Sequence, residues 1–413
     1  MALISLHDAQ DWVVSRCDPL PPEPVGLRSA LGCVLAEDIV SSEAVPPFAN
    51  TAMDGFAVRA ADVATVPVRL KVKATLAAGA KPSEMHHVGV GEAVRIMTGA
   101  AMPDGADTIV PIENVGSGAS DVVDVLVAAR PGDAVRPAGE DVYVGQAVFA
   151  SGEVLNAGHL GVLASIGRET VTAHRRARVG VLSTGDELVA PPTGLEVGQI
   201  RDSNRHTLLA LVELAGCEAV DLGLARDDEQ EIEDVVLRGV SDCDAIVTSG
   251  GVSVGDFDFV KLVLDRLATE GGTPMRWMQV AIKPAKPLAF GVIRGTPVFG
   301  LPGNPVSCMV SFELFARPGL RRMMGHGDAS LHRKAVRAIA DEGIRRDPDG
   351  KTHFTRVVAA FNDDGRVHVR STGAQGSNLL SSMALADALA VVPDGPAVPP
   401  GAEVDVLLLD RRV

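Results

Sequence analysis

From Asp244 to Val260 the chain reads DAIVTSGGVSVGDFDFV. An apolar run gives way to Gly250, Gly251, Ser253, Gly255, Asp256 and Asp258, and a helical pattern follows. Three chemistries use such a strand-to-helix turn. Gly250 to Gly255 has the G-x-x-x-x-G spacing of a phosphate-cradling loop. However, Asp256 stands where a lysine would meet the terminal phosphates, which argues against a standard nucleotide triphosphate site. Gly251 to Gly255 also matches the G-x-S-x-G of a hydrolase elbow, with Ser253 as nucleophile. His326, His332, His353 and His368 are available as its later base, but all follow the α/β text and no HGGG-type segment is present. In the third chemistry, backbone N–H groups face an oxyanion while Asp256 and Asp258 hold a divalent cation bridging to phosphate. An ordinary tight connection with helix-capping aspartates stands against all three.

Other stretches share this texture. RVGVLSTGDEL runs a strand into Ser183, Thr184, Gly185, Asp186 and Glu187. PVFGLPGNP places Pro302, Gly303 and Asn304 just before a helix. Three polar, glycine-containing strand ends in one α/β domain are what a crevice at the carboxyl edge requires. In VAIKPAKPLAF, Pro284 and Pro287 keep Lys283 and Lys286 off a helix. Two rigidly placed ammoniums suit a polyanion; a solvated edge strand is the plainer alternative. Asp54 in NTAMDGFAV, Thr98 in RIMTGAAMP, and Glu140 and Asp141 in RPAGEDV each read singly as turn residues.

The elements that must position these residues fall into four texts. A helix is expected over about 6–16, where Ser5 and Asp8 resemble a capping box, and a second over about 28–39. From about 46 to 145, short β-type runs such as VRLKVKATL, EAVRIM and DVVDVLVA alternate with turns. The helical EVLNAGHLGVLASIG then makes this β-rich stretch an insertion in a helical first part spanning 1–45 and 146–176. Over about 177–328, RVGVLS, EAVDLGL, DAIVTS and PVFGL read as buried parallel strands alternating with helices, a doubly wound α/β domain. From about 329 to 413 the text is β again, with an Asp-Gly hairpin signal in FNDDGRVHV, as a small barrel or sandwich requires.

Composition bounds the function. The 413 residues are too many for one ordinary core. A net charge of −15 disfavours general binding to nucleic acid or an anionic membrane, but not an anionic small substrate in a locally basic pocket. Five cysteines without a CxxC argue against a disulfide framework or structural zinc. The chain start has no basic region followed by an apolar run, and no run approaches a membrane span. A cytoplasmic protein is expected.

PPFANTAMDGFAV, RIMTGAAMPDGADTIV, STGDEL, RDSN, SGGVSVGDFD, IKPAKP and LPGNPVS occur in this order, and with them the chain resembles the molybdopterin molybdenumtransferases, relatives of the gephyrin E domain. The resemblance runs from about residue 5 to 410. It implies a helical elongated part interrupted by a β-rich insertion, a molybdopterin-binding α/β domain and a C-terminal β barrel. It also implies a homodimer with shared active sites, which works with other cofactor-biosynthesis proteins and acceptor enzymes. The substrates would be molybdate and adenylylated molybdopterin, and AMP would leave with Mg²⁺ present. Carried over by motif, the catalytic positions are Asp54, Thr98, Asp141, Glu187, Asp227, Asp258, Lys283, Lys286, Arg356 and Ser377, with Arg356 and Ser377 reaching the site from the last domain. The substrate would lie against Ser183, Thr184, Gly185, Asp186, Ser203, Asn204, Gly250, Gly251, Ser253, Gly255, Pro302, Gly303 and Asn304. Glu187 and Asp258 are the Mg²⁺ candidates.

Two positions depart from the family pattern. IKPGKP is expected where this chain has Ala285, and an alanine there predicts an ordinary backbone. Relatives can carry a lysine where Gln279 stands. A non-catalytic scaffold and a serine hydrolase are the rival readings. The scaffold does not need so many acids in one crevice.

Overall fold

The computed structural model describes residues 3–81, 84–116, 121–251, 259–271 and 274–409. The chain forms two compact units. One comprises residues 1–23, 32–34 and 173–413, the other 24–31 and 35–172.

The α/β layer of the larger unit explains where a site can lie. Its strands are β1 (Arg178–Thr184), β2 (Glu218–Ala225), β3 (Ala245–Ser249), β4 (Arg276–Gln279), β5 (Pro287–Ile293) and β6 (Thr296–Leu301). Their order in the sheet is β2-β1-β3-β6-β5-β4. The first four in that order are parallel, and β5 and β4 are antiparallel additions. The helices are α1 (Asn204–Leu214), α2 (Glu229–Asp242), α3 (Phe259–Glu270) and α4 (Pro305–Ser311).

Both sheet faces are covered, so the central strands β1, β3 and β6 are buried almost end to end. Val179, Val181 and Val247 point into one core with Leu208 and Val212 of α1 and Val306 of α4. Leu182 and Ile246 point the other way, against Ile232 and Val236 of α2 and Val263 and Leu264 of α3. Each such side chain contributes about 1.5–3 kcal/mol on burial. After β1 the chain leaves through α1 toward β2; after adjacent β3 it leaves through α3 in the opposite direction. That reversal opens a crevice at the carboxyl ends of β1 and β3.

The same unit contains a closed five-stranded barrel. Thr352–Phe361 pairs with Val367–Ser371, which pairs with Ala335–Ala340. The ladder continues through Glu403–Leu408 and Ala388–Val392 and returns to Thr352–Phe361. The Asp364-Gly365 hairpin forms, with Gly365 at φ +75°. Helix Leu6–Val14 also belongs here, and the Ser5 hydroxyl accepts from the Asp8 amide.

The smaller unit is built on a six-stranded sheet in the order Thr108–Pro111, Gly55–Val58, Glu92–Ile96, Val68–Leu76, Val122–Val125, Val115–Gly116. Phe56, Val58, Leu70, Val110, Val123 and Val125 fill one of its cores. Helix Ala157–Ser165 has a capping box between Asn156 and His159. The helix expected over 28–39 is not formed. Residues 27–33 turn, Gly32 takes φ +80°, and short strands cover Val34–Leu35 and Ile39–Val40. Consecutive buried residues there imitate helical spacing while facing both ways. The first part is correspondingly poorer in helix than expected.

Candidate active site

At the crevice the three strand ends touch. The Gly250 amide donates to Leu301 O, joining β3 to β6. A Cβ on Gly250 would lie 2.9 Å from Thr184 O and 3.1 Å from Thr184 Oγ1, so only glycine allows β3 this close to the end of β1. A Cβ on Gly303 would lie 3.8 Å from the Gly250 Cα, so the Leu-Pro-Gly-Asn-Pro turn abuts the same point. Asn204, at the start of α1, ties them together: its side-chain amide donates to Ser249 Oγ and to Gly303 O, each at 2.7 Å.

Beneath this junction lies a buried carboxylate. Asp202 accepts from Ser183 Oγ at 2.9 Å, from the Arg205 amide and from Arg205 Nε at 2.8 Å. Arg205 continues to Asp221. Pairing and three donors make burial of the Asp202 charge tolerable. Ser183 therefore faces inward, where it anchors the 201–204 segment, and Thr184 is buried against Gly250.

The acids lie on two neighbouring loops. The Asp186 amide donates to Asp227 Oδ2 at 3.4 Å, and the Asp227 amide donates to Asp186 Oδ1 at 3.2 Å. The adjacent Asp228 caps α2 by accepting from the Glu231 amide. Glu187 folds back over Gly185, where a Cβ would come within 2.5 Å of Glu187 Oε2. Among the described residues no three metal-ligating side chains cluster.

Lys283 and Lys286 are both exposed and flank a buried Ala285. Ile282–Lys283 pairs in parallel with Thr352–His353 of the barrel, and the Val280 amide donates to Lys286 O. The ordinary backbone expected at Ala285 is a misreading: φ is +73°, in the left-handed region. The turn closing on Val280 imposes that geometry whether or not the residue is glycine. Gln279 ends β4, half-buried, and its carbonyl accepts from the Ile4 amide.

Arg356 is fully buried, and its guanidinium faces the 374–376 turn. Nε donates to Ser382 Oγ at 2.7 Å, and one terminal nitrogen donates to Ala374 O and Gly376 O, each at 3.1 Å. Its other terminal nitrogen, Nη1, is buried without a hydrogen-bond partner. Burial lowers its pKa from the ordinary value. Ser377 is half-buried, and its carbonyl accepts from the Val306 amide in the first turn of α4.

Asp54, Thr98 and Asp141 belong to the smaller unit. Gly55 and Ile96 are register partners, which brings Asp54 beside Thr98. The Thr98 amide and hydroxyl each donate to Asp54 Oδ1 at 2.7 Å. These two bonds hold the exposed carboxyl below its ordinary pKa, amide first and hydroxyl second. Asp141 sits on a separate turn, where its amide donates to Val45 O.

Ser253, Gly255, Asp256 and Asp258 lie outside the described residues. Gly251 is described, and a Cβ there would collide with Val260. Of the histidines considered as a hydrolase base, His353 contacts Asp349, and His368 lies between Asp341 and Asp364. Burial, then the Arg321 charge, lowers the His326 pKa to about 4. Sequence reasoning passed over Asp202, Arg205, Ser249 and Gln375. Asp202 and Arg205 flank the two residues chosen from RDSN, and Ser249 is the last residue of β3. These adjacent positions were the only signal available.

Three family models cover most of the chain. Residues 4–167 match the MoeA N-terminal region (domain I and II), 180–322 a probable molybdopterin binding domain, and 337–409 the MoeA C-terminal region (domain IV). The chain is 37% identical over 381 residues to the molybdopterin molybdenumtransferase of Haemophilus influenzae, spanning 92% of each. It is 38% identical over 396 residues to molybdopterin molybdenumtransferase 2 of Mycobacterium tuberculosis, spanning 94% of this chain and 95% of that one. A crystal structure of the molybdopterin biosynthesis MoeA protein from Pyrococcus horikosii superposes with a TM-score of 0.78 at 31% identity, covering all of both chains. With these matches the serine-hydrolase reading falls away: the chain belongs to the MoeA family of molybdopterin molybdenumtransferases.

Proposed function

We propose that the chain inserts molybdenum, taken from molybdate, into adenylylated molybdopterin at the dithiolene sulfurs, with Mg²⁺-dependent release of AMP. The observation that carries this reading is the convergence of three glycine-bearing strand ends at the switch point, held by Asn204. Backbone donors there can approach a phosphate closely. Lys283 and Lys286 supply positive charge for the anionic substrates. Asn204 holds Ser249 and the Gly303 carbonyl in place around the crevice. Asp54, kept ionised by Thr98, is a fixed anion able to accept a proton or hold a polar group.

Mg²⁺ suits carboxylates that supply one or two oxygens while water and phosphate complete its shell. Glu187 has the donor chemistry for that, and Asp258 is the second candidate. Bound there, Mg²⁺ would neutralise charge on the phosphates as AMP departs.

We also infer four domains, 1–45 with 146–176, 46–145, 177–328 and 329–413, in a cytoplasmic homodimer whose sites are shared between subunits. The binding partners are small-molecule pterins and other cofactor-biosynthesis or acceptor proteins, not nucleic acid or membrane. No helix among the described residues is long and apolar enough to cross a membrane.

The test is AMP release from adenylylated molybdopterin with Mg²⁺, with and without molybdate, by wild type, Glu187→Ala and Asp258→Ala. Molybdate-dependent release that either substitution abolishes supports the transferase. No release by folded wild type overturns it and leaves the scaffold reading.

A further inference from the structure

The ladder between Thr352–Phe361 and Val367–Ser371 ends at the pair Val357 and Ser371. Beyond it Thr372 still gives its amide and its hydroxyl to Arg356 O, at 3.2 and 3.3 Å. The Gln375 side chain joins them there and meets the Arg356 amide as well. Gln375 Oε1 accepts from the Arg356 amide at 2.9 Å, and Nε2 donates to Arg356 O at 3.1 Å. Nε2 also lies 3.2 Å from Ser371 Oγ and from Gly373 O, so its two hydrogens serve three acceptors. One side-chain amide thus extends the end of the ladder and ties it to the 371–377 turn.

The Arg356 guanidinium grips the same turn through Ala374 O and Gly376 O. Its Nε is held by Ser382, whose hydroxyl donates to Leu379 O at 2.8 Å. The turn then delivers Ser377, whose carbonyl meets the Val306 amide two residues past Asn304. Hydrogen bonds at both ends of the 374–377 segment therefore tie the barrel to Val306, the residue after the Leu-Pro-Gly-Asn-Pro wall of the crevice.

We propose that Gln375 is a positioning residue for the transferase reaction. It sets the place of Ser377 against the crevice through the 371–377 turn, with Arg356 and Ser382 as its supports. The inference rests on the proposed reaction for its kinetic consequence, but its structural half does not.

The experiment compares wild type, Gln375→Ala, Ser377→Ala and the double variant. Its readouts are kcat/KM for AMP release and amide hydrogen exchange at Val306. Misplacing a substrate-facing group costs on the order of ten- to a hundredfold. Gln375→Ala is expected to lower kcat/KM by that factor and to speed exchange at Val306. Because Gln375 acts through Ser377, the double variant should be no worse than Ser377→Ala alone. Multiplying losses, or unchanged Val306 protection, would overturn the proposal. If wild type releases no AMP, the transferase reading fails, while faster Val306 exchange in Gln375→Ala still supports the positioning role and unchanged exchange removes it. Gln375→Met, similar in length and without hydrogen bonds, serves if the alanine variant does not fold and must give the same outcome.

Discussion

Thr98 gives both its amide and its hydroxyl to one oxygen, Oδ1 of Asp54, at 2.7 Å each. Two donors on one oxygen stabilise the carboxylate over the acid, so the carboxyl is held below its ordinary value. A depressed carboxyl contributes stability above its unfolded pKa and loses it as pH falls through the lowered folded one.

Thr98→Val removes the hydroxyl donor and keeps the amide and the bulk. The Asp54 carboxyl should rise toward the ordinary range without fully reaching it. A carbon-13 titration of the side-chain carboxyl reads this directly. An Asp54 midpoint identical in both proteins would remove the hydroxyl from the account.

Asp186 and Asp227 hold one another's loops through reciprocal amide-to-carboxylate bonds. Asp227→Asn keeps an acceptor for the Asp186 amide; Asp227→Ala leaves it without one. A lost hydrogen bond of this kind is worth about 1 kcal/mol. On the proposed function, KM for the pterin substrate should rise about fivefold in the alanine variant and about twofold in the asparagine variant. Equal effects would mean that the charge, not the loop geometry, is what matters there.

The α/β domain was legible because both of its signals are local. Strands covered on two faces read as apolar runs, as residues 179–182 and 245–247 do before their polar ends, and glycines mark where they stop. The segment 28–39 misled because Cys33, Val34 and Leu35 are buried in succession, which sequence spacing alone does not separate from a helix turn. Arg356 is a site residue only through the family motif, not through any local signal. Only the fold reveals that one of its terminal nitrogens donates to the carbonyls of Ala374 and Gly376. Side chains that serve the backbone of a distant segment, as Gln375 does, leave no periodic trace.

Gly250 combines φ +99° with close approach to Thr184 O, whereas Gly295 has φ +88° and nothing within 4 Å. Alanine at either position incurs left-handed strain of about 1–3 kcal/mol. At Gly250 it must also push the ends of β1 and β3 apart. Gly250→Ala should therefore lose more stability in urea than Gly295→Ala and also weaken molybdopterin binding in calorimetry, which the second variant should leave intact. Equal losses and unaltered binding would show that the two strand ends need not touch.

Ala285 holds φ +73° with its methyl buried between the exposed Lys283 and Lys286. A left-handed L-residue costs about 1–2 kcal/mol, which glycine would relieve. Against that, Ala285→Gly loses one buried methyl, about 0.8 kcal/mol, and adds about 0.4–1 kcal/mol of unfolded-chain entropy. The opposing effects nearly cancel, so the substitution should change unfolding free energy by less than about 0.5 kcal/mol. Ala289→Gly, equally buried but inside β5, has no strain to relieve and should lose about 1.5 kcal/mol. Urea unfolding of both variants decides the matter. A loss at 285 as large as at 289 would mean that the turn is not left-handed in solution. Near-neutrality would explain how alanine occupies this turn without disturbing the lysines on either side.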